Sequence, residues 1–411
     1  MKILSLSTVY PNPAEPGLGL FVRSRLMEIA RRDRLKVIAP LPLVDYSNPH
    51  GKYYQTRQCP MNRVDGPIEV LHPRWIFPPL GTPLNVFCLL VRLYPLVRKL
   101  RRQFDFDLID THFGYPEGVV GALLAMLFNK PFLVTLRGSE PVFARRRWRR
   151  FGMRWAFRRA DRLIAVSEQL RQFAIDQGAP AERVVVIPNG IDRDVFYPRD
   201  RSDARRKCGV PPERKVLVSA GELIEAKGHQ HVVEAVRDLV REGVDVELRI
   251  VGRTARGGPK YEATLRTFAS SLNLGDRIKF VGWSDREDLA ELLSAADVFC
   301  LASYTEGWPN VVQESLACGT PVVATRVGAV PQMLPSKDIG IVVPPRQQPA
   351  LLDALRVGLA TDWNRDRIAD WGRQRSWTEV AQSVREVFES VLHDSASLVT
   401  EPDSMRAVER R

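Results

Sequence analysis

The chain has 411 residues, of which 45% are hydrophobic and 26% charged, and its formal net charge is +12. The length exceeds what one hydrophobic core usually organises, so we expect two domains, and the soluble, globular composition excludes a low-complexity chain. Residues 1–200 hold 31 Lys and Arg against 18 Asp and Glu, a net +13, which leaves 29 against 30, a net −1, for residues 201–411. The first half is therefore expected to face an anionic partner such as phosphates, lipid headgroups or nucleic acid.

Three sequence features bear on cellular location. The five cysteines are scattered and lack CxxC spacing or nearby histidines, which indicates a reducing compartment and no structural metal. The start, MKILSLSTVYPNP, lacks the basic region, apolar region and cleavage site of a signal peptide, so we expect a cytoplasmic protein. The longest apolar segment, residues 84–100, is interrupted by Arg92 and Pro95, and we predict no transmembrane helix.

In chain order, the first half alternates apolar strand-like runs with helical periodicity. A strand at residues 2–8 precedes a helix near 20–32, and further helices are expected near 84–102 and 117–128. The strands between and after them are KVIAP, IEVLHP, LIDTH, PFLVTLRG, RLIAVS and VVVIPNG. This pattern predicts a parallel sheet covered on both faces, with ligand-binding loops at the carboxyl ends of its strands.

Three of these loops carry candidate residues. His112 follows the strand LIDT, before a helix that begins near Pro116, and would point into a cleft, although a lone histidine is as often structural. Arg137 follows the strand PFLVTL, where a guanidinium could hold an anionic group with two hydrogen bonds. Gly17 and Gly19 separate the first strand from the first helix, in a GLG that is equally a simple turn.

Residues 145–162, RRRWRRFGMRWAFRRADR, form the most basic run of the chain. Arginine interleaved with tryptophan on a helix predicts binding to an anionic membrane surface, because the rings suit the headgroup level and the charges meet lipid phosphates. Nucleic-acid binding would use the same residue types, and a solvated helix with aromatic residues in the core is the structural alternative. The residues assigned to the membrane are Arg145, Arg146, Arg147, Trp148, Arg149 and Arg150.

A charged, proline-containing stretch near residues 190–212 suits an interdomain linker, and the strand and helix pattern then restarts. We therefore predict an α/β protein of two Rossmann-like domains with doubly wound parallel sheets, facing each other across a cleft. The first domain is placed at 1–198 and the second at 199–374. A closing helix is placed at 375–395 and a flexible tail at 396–411.

In GELIEAKGH, a strand ends at Gly221, and Lys227 precedes a helix that opens at Gly228. A lysine beside a helix N-terminus suits a diphosphate, because free N–H groups and the positive end of the helix dipole favour an anion. An ordinary turn with a surface lysine is the alternative.

The stretch YTEGWPNVVQESLACGTPVVAT places Glu306 and Glu314 around a strand-to-helix junction, with seven residues between them. We predict Asn310 as the N-cap of the helix, with Gln313 at its third position, and Gly307 as a point of close approach to a ligand. The two carboxylates would suit a sugar nucleotide, one accepting from ribose hydroxyls and the other contacting the transferred sugar. A solvated pair of acids is the alternative.

Taken together, these motifs resemble those of the retaining glycosyltransferases of family four, which have the GT-B fold. The resemblance runs from Met1 to about Leu392 through PGLGLFV, DTHFGYPEG, SEQLRQ, PNGIDRDVF, GELIEAKG, the E-x7-E segment and VGAVP. It implies a nucleotide-diphosphate sugar bound mainly by the second domain, an acceptor bound mainly by the first, and no metal or other cofactor.

The resemblance also implies roles for single residues. Lys227 would hold the diphosphate, Glu314 the ribose hydroxyls and Glu306 the sugar beside its anomeric carbon, while His112 would contact a sugar hydroxyl. The glycines of the GLG loop would approach the phosphates or the acceptor. We take Glu306 and His112 as the catalytic pair, Gly17, Gly19 and Arg137 as the phosphate or acceptor loop, and Lys227, Gly221, Glu314, Gly307, Asn310, Val311 and Arg253 as donor-binding residues.

Two positions depart from the family pattern. Glu222 stands where family members usually have an arginine, so Arg137, Arg253 or another cation must compensate, or the donor binds more weakly. Gln332 replaces the acidic residue that often closes the GGxPE motif.

The sequence therefore predicts a bacterial, cytoplasmic glycosyltransferase, peripherally bound to the inner face of the membrane, that extends a lipid-linked glycan, with no nucleic-acid partner. Two alternatives remain open. One is a GT-B epimerase or phosphorylase acting on a nucleotide sugar or glycan. The other is a non-catalytic basic protein that binds membranes or nucleic acid.

Overall fold

The structure is a computed structural model, and it describes residues 1–43, 56–77, 84–254 and 260–400. The chain divides into two compact units. The first comprises Met1–Pro188 and the segment from Trp377 onward, and the second comprises Asn189–Ser376.

The described elements alternate along the chain as the sequence predicts. The strands are β1 (Lys2–Leu6), β2 (Arg34–Ile38), β3 (Leu41–Pro42), β4 (Asn62–Asp65), β5 (Ile68–Leu71), β6 (Arg74–Trp75), β7 (Leu108–His112), β8 (Phe132–Leu136), β9 (Arg162–Ala165), β10 (Val184–Val186), β11 (Lys215–Ala220), β12 (Val246–Val251), β13 (Ile278–Gly282), β14 (Val298–Leu301), β15 (Val322–Thr325) and β16 (Gly340–Val343). The helices are α1 (Leu20–Ala30), α2 (Leu84–Arg101), α3 (Glu117–Phe128), α4 (Glu140–Phe143), α5 (Arg147–Arg159), α6 (Glu168–Asp176), α7 (Arg201–Lys207), α8 (His229–Arg241), α9 (Lys260–Ser271), α10 (Arg286–Ala295), α11 (Asn310–Ala317), α12 (Val330–Met333), α13 (Gln348–Ala360), α14 (Arg365–Gly372) and α15 (Trp377–Thr400).

The main sheet of the first unit has the strand order β10-β9-β8-β7-β1-β2-β5-β4, and its pairings are parallel except for β4 with β5. β7 and β8 are buried at every position, as expected for central strands with helices on both faces. Helices α2 and α5 both contact α3. The sequence did not predict β4 or the short β3–β6 pair.

The sheet of the second unit has the order β13-β12-β11-β14-β15-β16, and every pairing in it is parallel. The chain runs outward from β11 in both directions, so the strand order reverses there. The loops that follow β11 and β14 therefore start at the topological switch point, where doubly wound sheets bind their ligands.

The change of unit comes about ten residues before the predicted one, between Pro188 and Asn189, because the segment PNGIDRDVF packs into the second unit. Ile191 and Phe196 are buried in the core of that unit. The Ile191 N–H donates to the carbonyl of Arg375 at 2.8 Å, and Ile191 forms a parallel bridge with Ser376, so the segments that enter and leave the second unit are hydrogen-bonded to each other.

The C-terminal helix α15 belongs to the first unit. Its apolar face, which includes Trp377, Val384 and Phe388, joins the core beside Leu26 and Ile29 of α1. The helix continues to Thr400, five residues beyond its predicted end, and the rest of the predicted tail lies outside the described residues. Within the described ranges, none of the helices combines the length and apolar character that crossing a membrane requires.

Candidate functional site

The loop after β11 forms a short turn that ends at the start of α8. Gly221 lies at the strand end with φ 153°, and the Leu223 N–H donates to the carbonyl of Arg253 at 3.0 Å, which joins this loop to the one after β12. Residues Glu225–Lys227 make one 3₁₀ turn, and Gly228, with φ 69°, begins the helix. The turn therefore places Lys227 immediately before a helix N-terminus, as the sequence predicts.

The loop after β14 lies directly on this turn. The Tyr304 N–H donates to the carbonyl of Ala226 at 2.8 Å. A Cβ on Gly228 would lie 2.1 Å from the Ala302 carbonyl oxygen, so only glycine fits between the two backbones at this point. The contact brings the predicted phosphate-binding turn and the predicted sugar-binding loop together.

Lys227 and Glu306 meet where these loops touch. The Lys227 ammonium donates to Glu306 Oε1 at 2.6 Å, and the Ser303 hydroxyl donates to the same oxygen at 2.7 Å. Both side chains are partly exposed, at 24% for Lys227 and 11% for Glu306. An anion bound at Lys227 would compete with this carboxylate for the ammonium group.

The VGAVP segment supports the Glu306 loop from behind. The Ala329 N–H donates to the carbonyl of Gly307 at 2.9 Å. Gly328 has φ 52°, and a Cβ there would lie 2.5 Å from the carbonyl oxygen of Glu306. Gly307 is buried, and its carbonyl oxygen accepts this hydrogen bond from Ala329.

The predicted capping of the next helix is wrong. Pro309 is the N-cap of α11, with no side-chain cap, and Asn310 is the first helical residue. The Asn310 amide oxygen accepts a hydrogen bond from Asn189 Nδ2 at 2.9 Å, which fixes the side chain to the PNGID segment. The Gln313 amide oxygen accepts from the Trp308 indole at 3.0 Å instead of closing a capping box. Val311 is partly exposed beside Asn310 at the helix start.

Glu314 is half-buried in α11, and its carboxylate has no hydrogen bond or ion pair with the described residues. Burial raises its pKa to about 7, and the guanidinium of Arg286 opposes that shift. An ionised Glu314 is therefore costly until hydroxyl groups donate to it, which is what a pair of ribose hydroxyls would do.

Glu222, which stands where an arginine was expected, is exposed beside the turn, and only its backbone takes part in the hydrogen bonds of the loop. Arg253 is partly exposed in the neighbouring loop. His229, which was not predicted as a site residue, is buried under the turn, with Nδ1 3.0 Å from the Ser219 hydroxyl and Nε2 3.3 Å from the Glu222 carbonyl oxygen. Burial lowers the pKa of His229 to about 4, so the ring is neutral at physiological pH.

In the first unit, His112 is the last residue of β7 and is fully buried. Its Nε2 lies 3.1 Å from Asp110 Oδ2 and 3.2 Å from Arg25 Nη2, and its Nδ1 lies 3.1 Å from Arg137 Nη2. The two predicted residues, His112 and Arg137, are thus in direct contact. Arg25 and Asp110, which were not predicted as site residues, complete this cluster.

Arg137 is held from several sides at the end of β8. Its guanidinium lies 5.3 Å from the ring centre of Phe21. The backbone N–H groups of Arg137 and Gly138 donate to the Glu140 carboxylate at 3.1 Å and 2.7 Å, which fixes the loop. Burial lowers the pKa of Arg137, and the positive charge of Arg25 adds to that effect.

The GLG loop is shaped by its second glycine. Gly19 has φ 67°, and a Cβ there would lie 2.3 Å from the Val9 carbonyl oxygen, so this glycine is required by close packing inside the loop. Gly17 is partly exposed. The Thr8 N–H donates to Glu117 Oε1 at 3.0 Å, which ties the start of this loop to the first residue of α3.

The arginine run forms α5, and its residues do not all face solvent. Trp148 packs edge-on against Tyr115, with ring centres 5.3 Å apart, and Arg149 stacks over Trp148 at 4.9 Å. These two side chains therefore belong to an aromatic cluster. Arg145, Arg146, Arg147 and Arg150 are exposed, and so is Phe151, the most exposed large apolar residue of the run at 74%.

Within the described ranges, no three or more His, Cys, Asp or Glu side chains lie close enough together to hold a metal ion. The charges at the two sites are instead those of lysine, arginine and carboxylates paired with them.

Comparison with known proteins identifies the family. The model described as glycosyl transferases group 1 matches residues 200–375, and the model described as glycosyltransferase family 4 matches residues 56–195. The chain is 29% identical over 310 residues to the D-inositol 3-phosphate glycosyltransferase of Nocardioides sp., an alignment that covers 69% of this chain and 67% of that protein. It is 28% identical over 372 residues to a Bacillus subtilis glycosyltransferase assigned to teichuronic acid biosynthesis, TuaC, covering 86% and 88% of the two chains.

Solved structures of low sequence identity share the fold. Sucrose-phosphate synthase from Thermosynechococcus elongatus superposes with a TM-score of 0.79 at 23% identity, over 96% of this chain and 100% of the other. The Anabaena protein HepE, in complex with UDP-glucose, gives a TM-score of 0.70 at 23% identity, over 95% and 100%. The fold class and the family predicted from the sequence are confirmed. The chain is a GT-B protein and belongs to glycosyltransferase family 4.

Proposed function

We propose that this glycosyltransferase moves a sugar from a nucleotide-diphosphate sugar to a lipid-linked glycan, with retention of anomeric configuration, in the assembly of a bacterial polysaccharide or surface glycan. The observation that carries the proposal is the 2.6 Å contact between Lys227 and Glu306 at the strand ends of the second unit. This contact joins a cation suited to phosphate and a carboxylate suited to sugar hydroxyls.

The role of each residue follows from its charge and place. Lys227 holds the diphosphate, helped by the free N–H groups at the start of α8. Glu306, one side chain away, accepts hydrogen bonds from the transferred sugar. Glu314, one turn into α11, accepts from the ribose hydroxyls, and Asn310 and Val311 offer N–H groups at the start of that helix.

Negative charge develops on the diphosphate as the glycosidic bond breaks. Lys227 and the N-terminal ends of α8 and α11 would stabilise that charge, so the reaction is proposed to need no divalent metal. The acceptor hydroxyl attacks the anomeric carbon from the face that the diphosphate leaves, and a diphosphate oxygen takes up its proton. Transfer that stops on chelation and returns with added Mg²⁺ would contradict the metal-free part of this proposal.

The names of similar proteins support the donor and point to two classes of acceptor. HepE was solved with UDP-glucose, and TuaC is named for teichuronic acid biosynthesis. The Nocardioides relative is named for D-inositol 3-phosphate. That name favours a second candidate function, transfer to a small phosphorylated acceptor in solution.

The outward face of α5 favours the lipid-linked acceptor. We call this the basic face, and it comprises Arg147, Arg150, Phe151, Arg154 and Arg158. The sequence of α5 contains no acidic residue, and the four arginines of this face form no ion pair with the described residues. An exposed phenylalanine among unpaired arginines suits an interface of anionic lipid.

A second exposed feature lies on α2, which contacts α3, the helix that also contacts α5. Leu84, Phe87 and Val91 are 57%, 62% and 55% exposed, and their spacing puts them on one side of α2, which we call the apolar stripe. The buried positions of the same helix, such as Leu89 and Leu93, lie on its opposite side. A membrane that binds the basic face could also take up this stripe.

The donor proposal is tested by a thermal-shift screen over UDP, GDP and ADP sugars, because a ligand that binds the native state raises its melting temperature. One class of nucleotide sugar is expected to raise the Tm of the wild type and to raise that of Lys227→Met much less. No response to any nucleotide sugar would overturn the proposal.

The acceptor proposal is tested with vesicles and two acceptor classes. The protein is expected to float with vesicles that contain anionic lipid, and the double variant Arg150→Gln and Arg154→Gln is expected to float less. The matched control removes the same charge from exposed arginines of the second unit, Arg206→Gln and Arg241→Gln. The second candidate function would be selected by two results together. Both double variants would bind the vesicles equally, and the enzyme would transfer sugar to inositol phosphate but not to a polyprenyl-diphosphate sugar.

A further inference from the structure

His112 is enclosed by three charged residues that come from three elements. Arg25 comes from α1, Asp110 lies two residues before His112 on β7, and Arg137 follows β8. Arg25 and Asp110 are as buried as the histidine itself, at 2% and 0% exposure. A fully buried imidazole with partners at both nitrogens has few ways to arrange its protons, and the identities of the partners decide between them.

The partners allow one neutral tautomer. A guanidinium only donates hydrogen bonds, so Arg137 Nη2, 3.1 Å from Nδ1, requires that nitrogen to be the acceptor. Nε2 then carries the proton and donates to Asp110 Oδ2 at 3.1 Å. Arg25 Nη2 is 3.1 Å from both oxygens of the same carboxylate and 3.2 Å from Nε2, and because Nε2 carries a proton, Nη2 donates to Asp110 and not to the ring.

We propose that Asp110 and Arg25 are positioning residues that hold His112 as the neutral Nε2–H tautomer, with Nδ1 kept as a hydrogen-bond acceptor. The assignment rests on the proposed function, together with the role that the family resemblance implies for His112, contact with a hydroxyl of the sugar. In this arrangement the acceptor nitrogen, Nδ1, lies at the end of β7 and accepts a hydrogen bond from Arg137. A sugar hydroxyl that displaced Arg137 would donate its hydrogen bond to Nδ1, because that nitrogen carries no proton.

The charges around the ring agree with this arrangement. Burial lowers the pKa of His112 to about 3, and Arg25 and Arg137 add to the shift while Asp110 opposes it. Burial alone would raise the pKa of Asp110. Arg25 and His112 outweigh burial and hold that pKa well below its usual range. An imidazolium would add a third positive charge between two guanidinium groups.

Two further side chains support Asp110 and Arg25. The Ser5 hydroxyl donates to Asp110 Oδ2 at 3.3 Å, and Arg25 Nη1 donates to the Thr135 hydroxyl at 2.9 Å. Ser5 contacts the carboxylate but not the imidazole, so Ser5→Ala removes a hydrogen bond from the cluster without changing the partners of the ring. It is the matched control.

The first test is a ¹⁵N spectrum of the histidine side chains in the full-length protein, with the His112 signals assigned by their loss in His112→Gln. The wild type is expected to show a protonated Nε2 and an unprotonated Nδ1, unchanged between pH 5 and pH 8. A ring that titrates near pH 6.5, or one protonated at Nδ1, overturns the proposal.

The second test is Asp110→Asn. The new amide places an NH₂ group in competition with its own oxygen for the position that faces Nε2, so the preference for the Nε2–H tautomer weakens. The expected result is a mixture of the two tautomers and a loss of about 10- to 100-fold in kcat/KM, the size of loss found when the partner that orients a metal-bound histidine is removed. Ser5→Ala is expected to keep the tautomer and most of the activity. An unchanged tautomer in Asp110→Asn overturns the proposal.

The two measurements separate this proposal from the proposed function. If the spectra show the expected tautomer but His112→Gln transfers sugar as fast as the wild type, the arrangement stands and the role given to His112 fails. If the wild-type tautomer differs while His112→Gln is inactive, the proposed function stands and the positioning by Asp110 and Arg25 fails.

Discussion

Donor affinity is expected to rise with pH across neutrality because of Glu314. Its pKa is raised to about 7, so about one tenth of the carboxyl groups are ionised at pH 6 and about nine tenths at pH 8. A carboxylate accepts from both ribose hydroxyls, whereas the neutral acid accepts less well, and hydrogen bonds to charged groups are worth about 1.5–3 kcal/mol. If binding requires the ionised form, the Kd for the nucleotide sugar should fall about tenfold from pH 6 to pH 8.

Isothermal titration calorimetry with the responding nucleotide sugar measures this dependence, and Glu314→Gln is the matched variant, since it keeps the shape and loses the titration. Its Kd should be weaker than that of the wild type at pH 8 and nearly constant with pH. A flat profile for the wild type, or the same slope in the variant, would refute the reasoning.

The same shift has the opposite effect on folding. The folded-state pKa of Glu314 lies above the ordinary value of 4.5, so the folded protein binds the proton more tightly and ionisation favours the unfolded chain. This destabilisation is absent below pH 4.5, grows as the pH rises towards 7, and reaches at most about 3 kcal/mol. Glu314→Gln should therefore gain stability over the wild type at pH 8 relative to pH 5. Burial also raises the pKa of Glu117 to about 7. Glu117→Gln should therefore show the same pH dependence of stability as Glu314→Gln, without a change in donor affinity.

Three further predictions concern the two loops of the second unit. Lys227→Met should weaken donor binding by roughly 10- to 100-fold, the loss of one charged hydrogen bond to phosphate, as measured by Kd. Glu306→Gln, which can keep its contacts with Lys227, should chiefly lower kcat, and a change mainly in donor Kd would show that the roles of Glu306 and Glu314 are exchanged. Gly228→Ala combines a positive φ with a backbone clash and should cost over about 2 kcal/mol in chemical denaturation. Gly209→Ala has a similar φ of 61° in open space, so equal losses in both variants would exclude the clash as the cause.

The placement of the donor residues could be predicted from the sequence because it depends on local order. Lys227 lies between a strand and a helix, Glu306 lies between a later buried strand and its helix, and parallel sheets bring such junctions to one edge. Their direct contact was not predicted. It depends on the close approach of Gly228 to the Ala302 carbonyl, which only the packed structure reveals.

Where the prediction failed, a distant partner decided the outcome. Asn310 has the side chain of an N-cap, but its oxygen is taken by Asn189, 121 residues away in sequence. In the sequence, Arg25 looks like an ordinary polar residue of an amphipathic helix. Its buried contact is with Asp110, which lies 85 residues further along the chain. The assignment of Trp148 to a lipid surface stays a prediction, but its edge-on contact with Tyr115, 33 residues earlier in the chain, could not be located from the sequence.

The paired backbone of Ile191 and Ser376 gives the second unit the character of an inserted cassette. Its first and last residues lie side by side, and residues 189–376 carry the whole Lys227, Glu306 and Glu314 arrangement. Because its two ends are adjacent, such a segment can be removed from the chain, or its own ends can be joined by a short peptide. Moved into the same position of another GT-B chain, it would bring the proposed donor-binding residues with it.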